Sequence, residues 1–180
     1  NTIPVGYEHH KTRQVVEDED AELFVAARNH QSPIIREELD SAKYQVGTLG
    51  SGNHFVELQK GSDGHIWLMV HSGSRNVGKR VCDYYNKRAL SLAAQWGTKD
   101  VPKEWDLAFL PMSKEVCSEY IAAMQWCMAF AKLNRKLMMQ RLLNIFNKVT
   151  GGMGEIEIQT HHNYAALEEH FGKSVWVHRK

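Results

Sequence analysis

Cysteine is scarce in this chain of 180 residues. Only Cys82, Cys117 and Cys127 occur, an odd number with no zinc-type spacing between any pair. A disulfide framework is therefore excluded, and a reducing, cytoplasmic compartment fits best. Cys117 and Cys127 fall in a helical pattern, where a thiol serves as a small core residue. Long apolar runs are missing too: none approaches the roughly 18 residues that a spanning helix needs. No signal-peptide pattern opens the chain, so no membrane partner is expected. An excess of one charge is also lacking, since 22 basic residues face 21 acidic ones for a net charge of +1. That balance does not announce a nucleic-acid binder, although a local basic patch can sit on a neutral whole. What is present is ordinary for a globular protein, with 43% apolar and 24% charged residues and enough length for one core. The start at Asn1 and the stop after Arg179-Lys180 read as a piece of something longer.

Residues 1–20 are polar, and the acidic run Glu17-Asp18-Glu19-Asp20 reads as a solvated face or loop. Short helices are predicted over 21–29, limited by Pro33, and over 36–43. From Tyr44 the texture changes. Residues 55–58 and 65–70 read as strands, joined by the turn composition of Lys60-Gly-Ser-Asp-Gly64 into a β-hairpin. The second strand is nearly all apolar, which predicts burial on both faces. A helix is predicted over 77–96, ended by Gly97. After Pro102 and Pro111, Ser113 reads as the N-cap of a helix reaching about Val149, with Glu115 and Glu119 in its first turns. Its apolar stripe is Cys117, Ile121, Met124, Met128, Ala131, Met138, Leu142 and Ile145. At ~1.5 Å per residue this scaffold helix is roughly 50 Å long, and its methionines read as core filling. The stripe skips one turn at Asn134-Arg135, where an arginine is either paired structurally or turned to a ligand. Gly151-Gly-Met-Gly154 closes the helix. Residues 155–158 alternate as a strand; a short helix, Gly172 and a last strand over 174–178 follow. Paired or single strands with long helices between them favour an α+β fold over a regular βαβ array.

Ten histidines are present. His9, His10, His30, His65, His170 and His178 have no chemical context and read as surface or half-buried residues. Three others differ. His54 ends the glycine-rich run Gly47-Thr-Leu-Gly-Ser-Gly-Asn-His-Phe-Val-Glu57; His71 opens His71-Ser-Gly-Ser-Arg75; His162 lies in His161-His162-Asn163-Tyr164. Each stands at or just after a strand end, where sites are built on a rigid sheet. In an antiparallel hairpin the start of one strand lies beside the end of the other, so His54 and His71 should be neighbours. Three imidazoles can hold Zn, Mn, Fe, Ni or Cu, and here they must be gathered from distant segments. Asn53, Glu57, Ser72, Ser74, Arg75 and Asn163 surround them with donors and acceptors. Arg75 with its serines suits an oxyanion such as phosphate, and Glu57 can accept two hydrogen bonds from a base such as guanine. These features point to metal-assisted phosphoryl or nucleotidyl chemistry, with a metal hydrolase as the competing reading.

These same three motifs resemble the RtcB family of RNA-splicing ligases. Leu133-Asn-Arg135, His170-Phe-Gly172 and Val177-His-Arg-Lys180 add to the resemblance, which runs from about Tyr44 to the end. Residues 1–43 match poorly, and residues 44–180 resemble the central part of such a catalytic domain. The resemblance implies a GTP-dependent ligase with two manganese ions. It joins RNA 3′-phosphate or 2′,3′-cyclic phosphate ends to 5′-hydroxyl ends, on tRNA halves or broken RNA. The implied route is a guanylylated histidine, transfer of GMP to the RNA 3′-phosphate, and attack by the 5′-hydroxyl as GMP leaves. By motif, His54 resembles a ligand of one manganese, and His71 and His162 ligands of the second. Asn53, His54, Phe55, Val56 and Glu57, with His162 and Asn163, resemble the guanine-nucleotide site, Phe55 packing on the base and Glu57 bonding it. Arg75 would meet a phosphate of the RNA. The family's upstream Asp and bridging Cys have no match here, and its GMP-accepting histidine would lie beyond Lys180. The catalytic residue is therefore not identified in this chain, and the chain alone is expected to be inactive in ligation. A metal-dependent phosphoesterase on the same scaffold, or a non-catalytic RNA-repair accessory protein, are the alternatives.

Overall fold

The computed structural model describes residues 2–96, 102–105, 107–152, 154 and 158–179. In chain order these form α1 (Asp18–Arg28), α2 (Pro33–Gln45), β1 (Phe55–Lys60), β2 (Ile66–His71), α3 (Arg75–Leu92), α4 (Glu115–Thr150), β3 (Tyr164–His170) and β4 (Lys173–Arg179). Short 3-10 turns at Ala93–Trp96 and Lys103–Trp105 lie between α3 and α4. The strands make two antiparallel pairs, β1 with β2 and β3 with β4. The architecture is thus a mixed α+β fold.

All four helices share one core. It gathers Phe24 and Ala27 of α1, Ile34, Ile35 and Ala42 of α2, Val77, Val81 and Tyr85 of α3, and Trp126, Phe130 and Leu133 of α4. Phe130 is fully buried. Its ring meets Phe24 edge-on at 6.3 Å and stacks on Trp126 at 5.4 Å, geometries that aromatic quadrupoles favour. Polar side chains in this core find partners. Tyr85 donates to Ser32 Oγ at 2.7 Å, and burial pushes its phenol up to about 12. Trp126 Nε1 donates to the Leu23 carbonyl at 3.0 Å. Asp18, Glu19 and Asp20 of the acidic run form the first turn of α1, with Glu17 at its N-cap, where carboxylates suit the positive end of a helix. Lys136 of α4 reaches Glu17, Glu19 and Asp20 at 3.2, 3.1 and 2.8 Å, which compensates their charge.

Helix α4 has 36 residues, about 54 Å at 1.5 Å per residue. Its buried face overlaps the predicted stripe at Cys117, Ala131 and Met138 but is shifted from it. Val116, Ala123, Trp126, Phe130, Leu133 and Asn134 are also buried, Ile121, Met124, Met128 and Leu142 are half-buried, and Ile145 is 45% exposed. The reason is tertiary: the shared helical core involves its first half only, so the far end keeps apolar residues in the open. Lys114, not Ser113, precedes the first helical residue, and no side chain caps the helix. Gly151 ends it in the left-handed conformation at φ 70°, its N–H donating to the Asn147 carbonyl.

Three strand-level expectations are corrected. First, β2 is not buried on both faces: Ile66, Trp67 and Met69 are 46, 41 and 42% exposed. Among the described residues its sheet has two strands, so apolar content here does not measure burial. Second, the predicted short helix before Gly172 is strand β3. Ala165 to Glu169 are helix formers by propensity, but Phe171 and Gly172 at φ 53° and 72° make the two-residue turn that fits a hairpin's twist. Pairing from Tyr164 with Arg179 to His170 with Lys173 then decides the conformation. Arg179 across the strands, and after it His170, hold the Glu168 carboxyl down at about 2. Third, the strand predicted over 155–158 falls outside the described residues except for Ile158, which is irregular; Gly97 also lies outside them, and α3 ends at Leu92.

Replacing Phe130 with Ala should destabilise the fold by about 3–5 kcal/mol through lost burial and a cavity, measured by equilibrium urea unfolding.

Candidate metal and nucleotide site

The loop after α2 runs through buried space: Gly47, Thr48, Leu49 and Gly50 are all buried. Its backbone groups therefore need partners. Asn134, fully buried on α4, supplies them. Its Oδ1 accepts from the N–H groups of Gly47 and Thr48 at 2.7 and 3.1 Å. Its Nδ2 donates to Thr48 O, Ser72 Oγ and Gly73 O at 3.1, 3.2 and 3.1 Å. Ser72 Oγ in turn donates to the Leu49 carbonyl at 2.7 Å. Gly50 takes φ 104°, and a side chain there would run into Arg75 and His54. Glycine is thus required for both conformation and close approach.

This loop delivers His54 to the head of β1. Phe55 pairs with His71 at the end of β2, so the hairpin places the rings of His54 and His71 6.0 Å apart. The segment before β3 returns His162 against both, its ring 5.9 Å from His54 and 4.5 Å from His71. Three imidazoles from three remote segments are brought together. Among the described residues, His54 Nδ1 and His71 Nε2 are buried and find no hydrogen-bond partner, although the Leu49 backbone lies close enough to the His54 ring to favour its protonated form. Burial above all, then the positive charge of Arg75 and the neighbouring His162 and His71, lower the affinity of His54 for a proton. A neutral imidazole is the metal-binding form. Imidazole nitrogens suit a borderline divalent ion, but the three rings do not offer nitrogens that all lie within 4.8 Å of one another; among the described residues only Glu17, Glu19 and Asp20 form such a group.

The remaining site residues lie around this centre. Phe55 stacks on His71 with centroids 5.2 Å apart and planes 6° apart. Phe55 and Glu57 share one face of β1 and Val56 the other; all three, with Asn53 just before, are exposed. A cleft of about 590 Å³ opens beside the histidines, and His54, Ser74, Arg75, Lys79, His162 and Asn163 are on its wall. Arg75 has φ 57°, and its guanidinium donates to Thr48 Oγ1 at 2.8 Å and Gly6 O at 3.1 Å. The arginine read as a phosphate contact is thus also a structural tie. Arg135 is buried, donating to Ser72 O and Gln159 Oε1, each at 3.2 Å.

The roles of Asn134, Thr48 and Ser72 in holding the loops were not legible beforehand. Only the break in the apolar stripe at Asn134-Arg135 marked the place. His10 carried no signal either, yet its Nε2 lies 3.2 Å from Gly47 O and 3.1 Å from Arg141 Nη1, and Arg141 donates to the same carbonyl at 2.7 Å.

Fold and site together define an α+β domain that builds a cluster of histidines on a hairpin and glycine loop beside a cleft, whose wall also carries the apolar Val81, Met124, Met128 and Ala131. The family model for the tRNA-splicing ligase RtcB matches residues 3–180, and the chain belongs to that family. It is 34% identical over 142 residues to the RNA-splicing ligase RtcB of Escherichia coli K12, covering 75% of this chain and 34% of that protein. It is 34% identical over 161 residues to the tRNA-splicing ligase RtcB of Pyrobaculum aerophilum, covering 76% and 33%. To the RNA-splicing ligase RtcB of Mycobacterium tuberculosis it is 30% identical over 154 residues, covering 76% and 35%. The chain spans about a third of the length of these relatives. Among the described residues, no helix is long and apolar enough to cross a membrane.

His54, His10, His30 and His161 all bind a proton less readily than a free histidine, burial being the largest cause in each. The unfolded chain therefore takes up more protons than the folded one as pH falls through the ordinary histidine value of 6.5. Stability should be full near neutrality and decline from about pH 7 to about pH 5. Urea midpoints across that range check this, and a flat profile would count against imidazoles held in the neutral form by burial.

Proposed function

We propose that this chain carries the three-histidine metal centre and part of the guanine-nucleotide site of an RNA ligase. The ligase joins RNA 3′-phosphate or 2′,3′-cyclic phosphate ends to 5′-hydroxyl ends, using GTP and two manganese ions, in tRNA splicing or RNA repair. One observation carries the reading: the rings of His54, His71 and His162 lie within 6.0 Å of one another, and the buried nitrogens of His54 and His71 have no hydrogen bond. Membership of the family supplies the reaction class.

In this proposal His54 would hold one ion, and His71 and His162 would hold the other. When bound, such ions polarise phosphate oxygens and orient the reacting groups in line. The protein's own residues bind and aim the nucleotide. Glu57 accepts the N–H groups of guanine, which adenine does not present in the same pattern. Phe55, one face against His71, offers its other side to the base. Asn53, Val56 and Asn163 complete the contacts. Arg75 directs the N–H groups not engaged by Thr48 and Gly6 toward a phosphate. The chain contributes three of the metal ligands and no GMP-accepting histidine, so alone it is proposed not to ligate.

Titrating Mn²⁺ into the chain by calorimetry tests the centre. His71→Ala and His162→Ala should each weaken binding by at least about tenfold; wild-type affinity in both variants would remove the metal role. Glu57→Gln should weaken GTP by about tenfold, the loss of a charge-assisted hydrogen bond, and leave ATP unchanged. Incubated with GTP and Mn²⁺, the chain should acquire no covalent GMP by mass spectrometry.

A further inference from the structure

Asn134 and Arg135 are consecutive residues in the middle of α4, and both are buried. Their hydrogen bonds divide the histidine-bearing segments between them. Asn134 joins the loop that leads to His54, through Gly47 and Thr48, to Ser72 and Gly73, which follow His71. Arg135 joins the Ser72 carbonyl, next to His71, to Gln159, three residues before His162.

Arg135 sits where a guanidinium is costly. It is only 8% exposed, its Nε is buried without a hydrogen bond, and no carboxylate pairs with it among the described residues. Burying a guanidinium without an ion-pair partner carries a desolvation cost that an apolar side chain does not. What an apolar residue cannot do is span two segments with a rigid planar fork. Asn134 is similarly specific: one amide both accepts from and donates to the same loop, which neither a carboxylate nor a hydrophobic residue can do.

We infer that Asn134 and Arg135 are positioning residues with separate tasks, Asn134 setting His54 against His71 and Arg135 setting His71 against His162. This rests on the reading of the three histidines as one centre. Because α4 is anchored in the core by Trp126 and Phe130, the two side chains transmit a rigid reference to three irregular segments. Such outer partners fix ligand orientation in metal sites generally.

The test uses the whole chain with isotope-labelled histidine, and reads through-space NMR contacts between imidazole protons. Asn134→Leu should lose the His54–His71 contact and keep His71–His162. Arg135→Met should do the reverse. Retention of both contacts in either variant, or loss of both in a variant that remains folded, overturns the inference, since a general packing role would not separate the pairs. Should either variant fail to fold, Asn134→Asp keeps the acceptor bonds and gives up the three donor bonds, and Gln159→Leu removes one anchor of Arg135. The same pairwise losses are expected from these, and their absence is equally decisive. Co²⁺ affinity of the folded variants should fall by about 10- to 100-fold. A wild-type chain that binds no Co²⁺ would count against the metal reading, while the ring contacts would still judge the positioning.

Discussion

One side-chain amide holds the functional end of this molecule together. A glycine-rich loop can bring its backbone close to a ligand only if it gives up regular secondary structure. Buried, it then has N–H and C=O groups with no ladder to satisfy them. Asn134 resolves this for Gly47 and Thr48, and with the same amide it holds Ser72 and Gly73. The loop that bears His54 and the turn that bears His71 are thereby fixed to one residue of one helix. Without that amide, Gly47 and Thr48 would lose the side chain that satisfies their N–H groups, and with it their tie to Ser72 and Gly73.

The helices serve this arrangement. Their shared core lies around the first half of α4 and includes residues from α1 to α3, so the middle of α4, where Asn134 and Arg135 sit, is well anchored. The site itself is built from irregular segments at strand ends. Its chemistry follows from partial burial. Burial and the nearby Arg75 disfavour protonation of His54, and burial also leaves His54 Nδ1 and His71 Nε2 without a hydrogen-bond partner. In a purely structural histidine cluster, ring nitrogens would be expected to find hydrogen bonds, because unsatisfied buried polar atoms destabilise a fold.

Family membership and geometry bear on different questions. The match over residues 3–180 places the chain among the RtcB proteins and says nothing of which side chains act. The geometry draws His54, His71 and His162 together, and gives Arg75 a structural task at Thr48 and Gly6. The exposed apolar residues of β2, Ile66, Trp67 and Met69, show that this hairpin carries more hydrophobic surface than its own two strands can cover.

Much of this was legible in the sequence. The hairpin, its turn, the long helix and the adjacency of His54 and His71 follow from local pattern, because strand pairing around a short turn fixes which residues lie opposite. The glycines of residues 47–52 mark an unusual backbone in the sequence itself. Tertiary structure decided what local pattern leaves free. It turned 164–170 into a strand against its propensity, because a two-residue turn and a paired β4 outweigh small helix preferences. It shifted the buried face of α4, because the packing partners, not the helix, choose which side is covered. It also brought His162 to the other two histidines, and Asn134 to Gly47 and Ser72 across 87 and 62 residues of chain. The sequence names the residues able to make such contacts; only the packed core determines which of them meet.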